Sequence, residues 1–144
     1  MPAPKWAGRA GAAAAMLAAV MLAGAFRWGW LSPAPAAVQG LTLVYVGAED
    51  CAPCSSWQGG EGAKFRASPE FARIVYREVK SPTSRDVLND DHWPDDLRGY
   101  RNRLGRGAGV PLWLVIADDE IVERGFGASQ WHSAVLPKIK SLLR

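Results

Sequence analysis

A chain of 144 residues has room for one domain, and its 49% hydrophobic content with seven Trp excludes a disordered polymer. The formal charge of +3 is unevenly placed: Lys5, Arg9 and Arg27 stand in the first 36 residues, which hold no acid, and the remaining Lys and Arg balance the 14 Asp and Glu. The high isoelectric point therefore belongs to the N-terminal segment, and no nucleic-acid partner is expected.

That segment has the pattern of a targeting signal. A short basic region precedes an uncharged apolar run over residues 10–26, and Trp28 and Trp30 follow it as residues that favour a membrane interface. Ala34-Pro35-Ala36 has the small-x-small form of a cleavage site. Residues 1–31 are read as a signal peptide or a membrane anchor, since an apolar run of 17 residues is at the short limit for a bilayer span. Either fate puts the domain in the periplasm or on the extracytoplasmic side of the membrane, where disulfides persist. Residues 32–40, SPAPAAVQG, are a Pro/Ala linker, and residues 41–144 form the domain.

Within the domain LTLVYVG, residues 41–47, is a buried strand: short, apolar, β-branched and closed by glycine. CSSWQGGEGAKF begins a helix that Gly59, Gly60 and Gly62 weaken, each costing about 1 kcal/mol against alanine. SPEFARI restarts helix with Ser68 as its cap, and residues 74–80 read as a second strand. SPTSRDVLNDDH is polar and is read as a loop, WPDDLRGYRNRL as a helix. VPLWLVIA, residues 110–117, is the strongest central strand, and DDE turns it into the hairpin strand IVERGFG. Ser129 then caps a last amphipathic helix that Pro137 kinks. The order predicts an α/β sandwich with a mixed sheet: three strands paired through helical crossovers, and an antiparallel edge added by the hairpin.

Both cysteines lie in GAEDCAPCSSW, at Cys51 and Cys54. A structural zinc site needs four ligands, and only His92 and His132 are available to complete one. A structural disulfide across two residues removes little unfolded-state entropy. Copper(I) held by two thiolates is chemically sound. The redox reading has its own basis: the pair follows a buried strand and opens a helix, where free N–H groups and the helix dipole favour the Cys51 thiolate. Cys54, one turn on, is placed to resolve a mixed disulfide. Pro111 at the start of a central strand is either an ordinary trans proline or a cis proline that leaves the Val110 backbone free for a substrate strand.

Taken together, VYVGAEDCAPC, GVPLWLV and DDEIVERGFG resemble the thioredoxin-like superfamily over nearly all of residues 41–144. The resemblance implies a thioredoxin-like sandwich, its central mixed sheet flanked by helices, preceded here by the hydrophobic N-terminal helix. It implies a cis Val110–Pro111 bond that binds substrate backbone, Cys51 as the exposed catalytic nucleophile, and Cys54 as the resolving thiol. Gly125 and Gly127 resemble the glycine region at the end of the last hairpin. FRASPEFARIVYREVK is similar to exported members related to sulfur-oxidation or cytochrome-maturation thioredoxins.

Two departures stand out. The residue before the first cysteine is often Trp in that superfamily but is Asp50 here, with Glu49 beside it; two acids next to a thiolate raise its pKa against the helix dipole. Tyr45 stands where thioredoxin carries a buried Asp, so Glu49 and Asp50 become candidates for proton transfer or pKa tuning, or are a solvated loop end.

The function expected is an exported thiol–disulfide oxidoreductase that reduces protein disulfides through a Cys51–Cys54 dithiol/disulfide cycle. Its expected partners are protein disulfide or dithiol substrates and a membrane electron donor or acceptor, with the membrane itself if the N-terminal segment is uncleaved. No cofactor and no metal is expected. The alternative is a non-enzymatic thioredoxin-like module, a copper(I) carrier or a partner-binding domain. His92 and His132 are read as structural residues, and Trp57, Trp93, Trp113 and Trp131 as packing.

Overall fold

A computed structural model describes residues 40–144 of the chain. The hydrophobic segment expected at 1–31 and all of the linker but Gly40 lie outside the described residues. Among those described, no helix is long and apolar enough to cross a membrane.

The first apolar run forms β1 (Thr42–Ala48), every residue of which after Thr42 is buried. A chain that is apolar at successive positions puts side chains on both faces of a sheet, and both faces are covered here. Leu43 and Tyr45 point into one core, Val44 and Val46 into the other. The cysteine turn leads into α1 (Ala52–Gly59), which stops at Gly60, and α2 (Glu61–Arg66) resumes directly. The glycine-rich sequence thus breaks the helix once rather than dissolving it. Ser68 caps no α-helix: its hydroxyl donates to the Phe65 carbonyl at 2.6 Å and accepts the Phe71 N–H at 3.4 Å, and only a 3-10 turn, Phe71–Arg73, follows.

β2 (Val75–Ser81) lies parallel to β1, with Gly47 opposite Lys80. For the segment after it the sequence predicts a loop and then a helix. It forms three 3-10 turns and one short α3 (Arg98–Arg101). Val87, Trp93 and Leu97 from these turns fill the core under Val44 and Val46, and the Trp93 indole N–H donates to the Val87 carbonyl at 2.7 Å. Here tertiary anchoring rather than helix propensity decides the conformation.

β3 (Leu112–Ala117) is wholly buried and pairs with β1 antiparallel, not through a parallel crossover as the sequence order suggested. β4 (Glu120–Phe126) returns beside it through Asp118 and Asp119, both at positive φ, which Asp tolerates in a tight hairpin. The sheet order is β2-β1-β3-β4.

The last helix runs as α4 (Gly127–Gln130), a π turn (Trp131–Val135) and α5 (Leu136–Leu142). Ser129 lies inside it and is not its cap; Gly127, at φ +78, makes the sharp exit from β4. The expected break at Pro137 takes the form of the wider π turn, since proline lacks the N–H that a regular helix would use there.

Candidate redox site

The register of the strands puts one end of the sheet in charge of the site. β1 ends at Ala48, three residues before Cys51; β3 begins at Leu112 opposite Val46, directly after Pro111; and Phe126 at the end of β4 faces Leu112. The antiparallel β3 is what brings Pro111 to this end. The Val110–Pro111 peptide is cis, the Pro111 carbonyl accepts the Gly127 N–H at 2.9 Å, and the Val110 side chain packs on the core that holds both cysteines. Among the described residues the Val110 N–H and C=O take no partner.

Cys51 is the residue immediately ahead of α1, and its sulfur accepts the Cys54 N–H at 3.1 Å. The two sulfurs are bonded to each other, with Cα atoms 5.2 Å apart. Pro53 sits in the first turn of the helix, where its missing N–H costs nothing. Cys51, implied to be exposed, is 6% accessible and Cys54 is 2%. Both cysteines are buried residues in this disulfide-bonded state.

The two acids before Cys51 part company. Asp50 accepts the Ser84 hydroxyl at 2.6 Å and the Ser84 N–H at 2.7 Å, and these bonds, hydroxyl first, hold its carboxyl below the ordinary range. Glu49 is fixed by its backbone, whose N–H donates to the Ser81 carbonyl at 3.0 Å, while its carboxylate takes no hydrogen bond or ion pair among the described residues. The cysteine turn is therefore pinned twice to the exit of β2.

Glu49 lines a cavity of about 300 Å³ together with Cys54, Ser55, Gln58, Tyr45 and Lys80. Behind Lys80, Glu78 collects three donors: Lys80 at 2.9 Å, Tyr76 at 2.9 Å and Gln58 at 3.1 Å. Burial acts to raise the Glu78 carboxyl, but Lys80, Gln58 and Tyr76 together hold it below its ordinary value. Arg66 closes the network on Gln58, reaching its side-chain oxygen at 2.8 Å and its carbonyl at 2.7 Å. Lys80, Glu78 and Gln58 were not singled out from sequence. The signal was present in the parallel register, which sets Glu78 beside Tyr45 and Lys80 beside Gly47.

Tyr45, Trp57, Trp113 and Trp131 pack in the core that holds the cysteines, stacked (Tyr45–Trp57), edge to face (Trp57–Trp113 and Trp57–Trp131) or tilted (Trp113–Trp131), with ring centroids 4.9 to 5.4 Å apart. The indole N–H groups of Trp57, Trp113 and Trp131 are buried without a partner. His132 lies 3.9 Å from Glu61, neither histidine lines the cavity beside Cys54, and among the described residues no cluster of three or more metal-binding side chains occurs.

No protein-family model and no curated protein matches the chain. Among solved structures, the reduced periplasmic thioredoxin SoxS of Paracoccus pantotrophus is similar at 15% identity and a TM-score of 0.49, covering 72% of this chain and 95% of that one. The short form of thioredoxin f from spinach chloroplast is similar at 16% identity and the same TM-score, covering 74% and 80%. With a parallel β2-β1 pair, an antiparallel β3-β4 hairpin and helices closing over the mixed sheet, the fold is thioredoxin-like.

Proposed function

We propose that the protein is a thiol–disulfide oxidoreductase that works outside the cytoplasm and reduces disulfides in protein substrates. The observation that carries this reading is the placement of Cys51 and Cys54 at the N-terminus of α1, at the same end of the sheet as an unpaired Val110 backbone. The N-terminal basic and apolar pattern supports the location, and a tethered domain suits recharging by a membrane electron donor.

In the reduced protein the Cys51 thiolate attacks one sulfur of a substrate disulfide. A Cys51–substrate disulfide forms and the other substrate sulfur leaves as thiolate. Cys54 thiolate then attacks the Cys51 sulfur and releases the second substrate thiolate. Two electrons have passed to the substrate and the Cys51–Cys54 disulfide remains, to be reduced by a dithiol donor. The free N–H and C=O of Val110 pair with the substrate backbone and hold its sulfur in line.

Insulin reduction driven by dithiothreitol tests the reading. The wild-type protein is expected to accelerate precipitation of the insulin B chain at least about tenfold over dithiothreitol alone, and Cys51→Ser to abolish the gain. Equal rates for the two proteins would overturn it. The redox state of the pair in the cell tests the direction: a reductase is held mainly as the dithiol.

A further inference from the structure

The sheet has two edges, β2 and β4, and they are finished differently. On β4 the N–H groups of Arg124 and Phe126 are taken by side chains: Glu123 accepts the first at 3.0 Å and Gln130 the second at 2.7 Å. On β2 the first N–H, of Val75, donates to the Leu41 carbonyl at 2.9 Å, and the last carbonyl, of Ser81, accepts the Glu49 N–H at 3.0 Å. Both bonds lie on the β1 side, and the parallel register runs unbroken between them. The alternation of the strand therefore turns the N–H and C=O of Tyr76, Glu78 and Lys80 outward. Among the described residues these groups take no partner. Pro82, which has no N–H, ends the row.

An open edge is a template for a further strand, and charged side chains on it deter chance partners. Here the charges also select one partner. Glu78 and Lys80 stand two residues apart on one face of the strand, their side chains 2.9 Å from each other. Read backwards, the same strand offers Lys where it first offered Glu. An antiparallel copy centred on Val79 sets Glu78 opposite Lys80 of the second copy, and the two-fold axis repeats the pair. Both residues face outward, so each pair also exchanges its backbone hydrogen bonds. Registers centred on Arg77 or on Glu78 would instead set like charges against each other, Arg77 on Arg77 or Glu78 on Glu78.

We propose that β2 is a self-recognition edge, through which two copies of this chain join their sheets antiparallel about Val79. The contact runs along the strand whose Ser81 carbonyl pins the cysteine turn. It leaves the Val110 backbone open, because β1 lies between this edge and β3. The inference therefore stands apart from the dithiol cycle.

The test uses two full-length variants with different affinity tags. Glu78→Lys carries two ammonium groups on the edge and Lys80→Glu two carboxylates. Alone, each sets like charges together, and sedimentation should show self-association at least about tenfold weaker than in the wild type. Mixed in equal amounts they are complementary and should form the mixed dimer. A carbodiimide condenses a carboxylate with an adjacent ammonium to an amide, itself taking up the water as a urea. It should link the two variants between positions 78 and 80, a link that neither variant can form alone, and mass spectrometry of the joined peptides reads it. The double variant Glu78→Lys/Lys80→Glu should regain wild-type association. Amide exchange of the wild type requires no substitution: raising the concentration should protect the N–H groups of Glu78 and Lys80 and leave those of Arg124 and Phe126 unchanged. A wild type that stays monomeric at every concentration, protection at β4 in place of β2, or association that both single variants retain would each overturn the proposal. Association through the N-terminal apolar run would give the last of these, since it is blind to both charges.

Discussion

Tyr45 shows how one residue can be conspicuous in sequence and still hide its role. Its ring is 1% accessible and stacks on Trp57 at 16° between planes. Its hydroxyl lies so close over Gly47 that a Cβ there would meet it at 2.3 Å, so only glycine leaves it room. Burial raises the phenol to about 12, whereas an unfolded tyrosine ionises near 10. The stability gained by keeping this phenol neutral is full below about pH 10 and is lost as pH rises from there towards 12. An absorbance titration should find the Tyr45 phenolate appearing only near the upper end of that window, and Tyr45→Phe should remove one late-titrating group; ionisation at the ordinary value would contradict the burial. The sequence announced that the acid expected at this position is absent. It drew attention to Glu49 and Asp50 together but not to their different surroundings, because Ser84, which holds Asp50, lies 34 residues away. A local motif cannot record a contact that a distant loop makes.

At the scale of elements, the strands were legible because each is a short, β-branched, apolar run bounded by turn residues. Strand direction was not. A six-residue run buried at every position reads the same whether its neighbour is parallel or antiparallel, and β3 is such a run. The stretch from 93 to 104 carries acids early and arginines late, as a helix should, yet its turns and those of the loop before it are set by Val87, Trp93 and Leu97 packing in the core. The glycines at the end of β4 gain a physical reason that resemblance alone did not supply. A Cβ on Gly125 would come within 2.4 Å of Val135 Cγ2, at the contact between β4 and the π turn. Gly125→Ala is expected to destabilise the protein by about 1–3 kcal/mol, and adding Val135→Ala should recover part of that loss because it removes the opposing methyls. Denaturant titration of the two single variants and the double variant checks this; simple additivity would place the strain elsewhere.

At the scale of the whole molecule, two cores on opposite faces of one sheet hold the fold, and the cysteines touch only one of them. A bond closing a loop with two intervening residues contributes about 2 kcal/mol by loop entropy, a small part of what two cores supply. Reduction should therefore leave the protein folded, with a lowered melting temperature and a near-ultraviolet dichroism that retains the signal of the packed tryptophans. Unfolding on reduction would mean that the pair is a staple, which is the reading that the short loop argued against.

The sheet also fixes how the molecule presents itself when held. β1 starts at Thr42, two residues past Gly40, and its seven residues carry the chain to the cysteine turn, a run of roughly 23 Å at ordinary strand rise. The Asp118–Asp119 turn lies beside Gly40 at that entry end. A protein immobilised through residues ahead of Gly40, or labelled at Asp118–Asp119, would offer its dithiol on the far side from the attachment. For a surface-bound biocatalyst, β1 is a built-in stand-off.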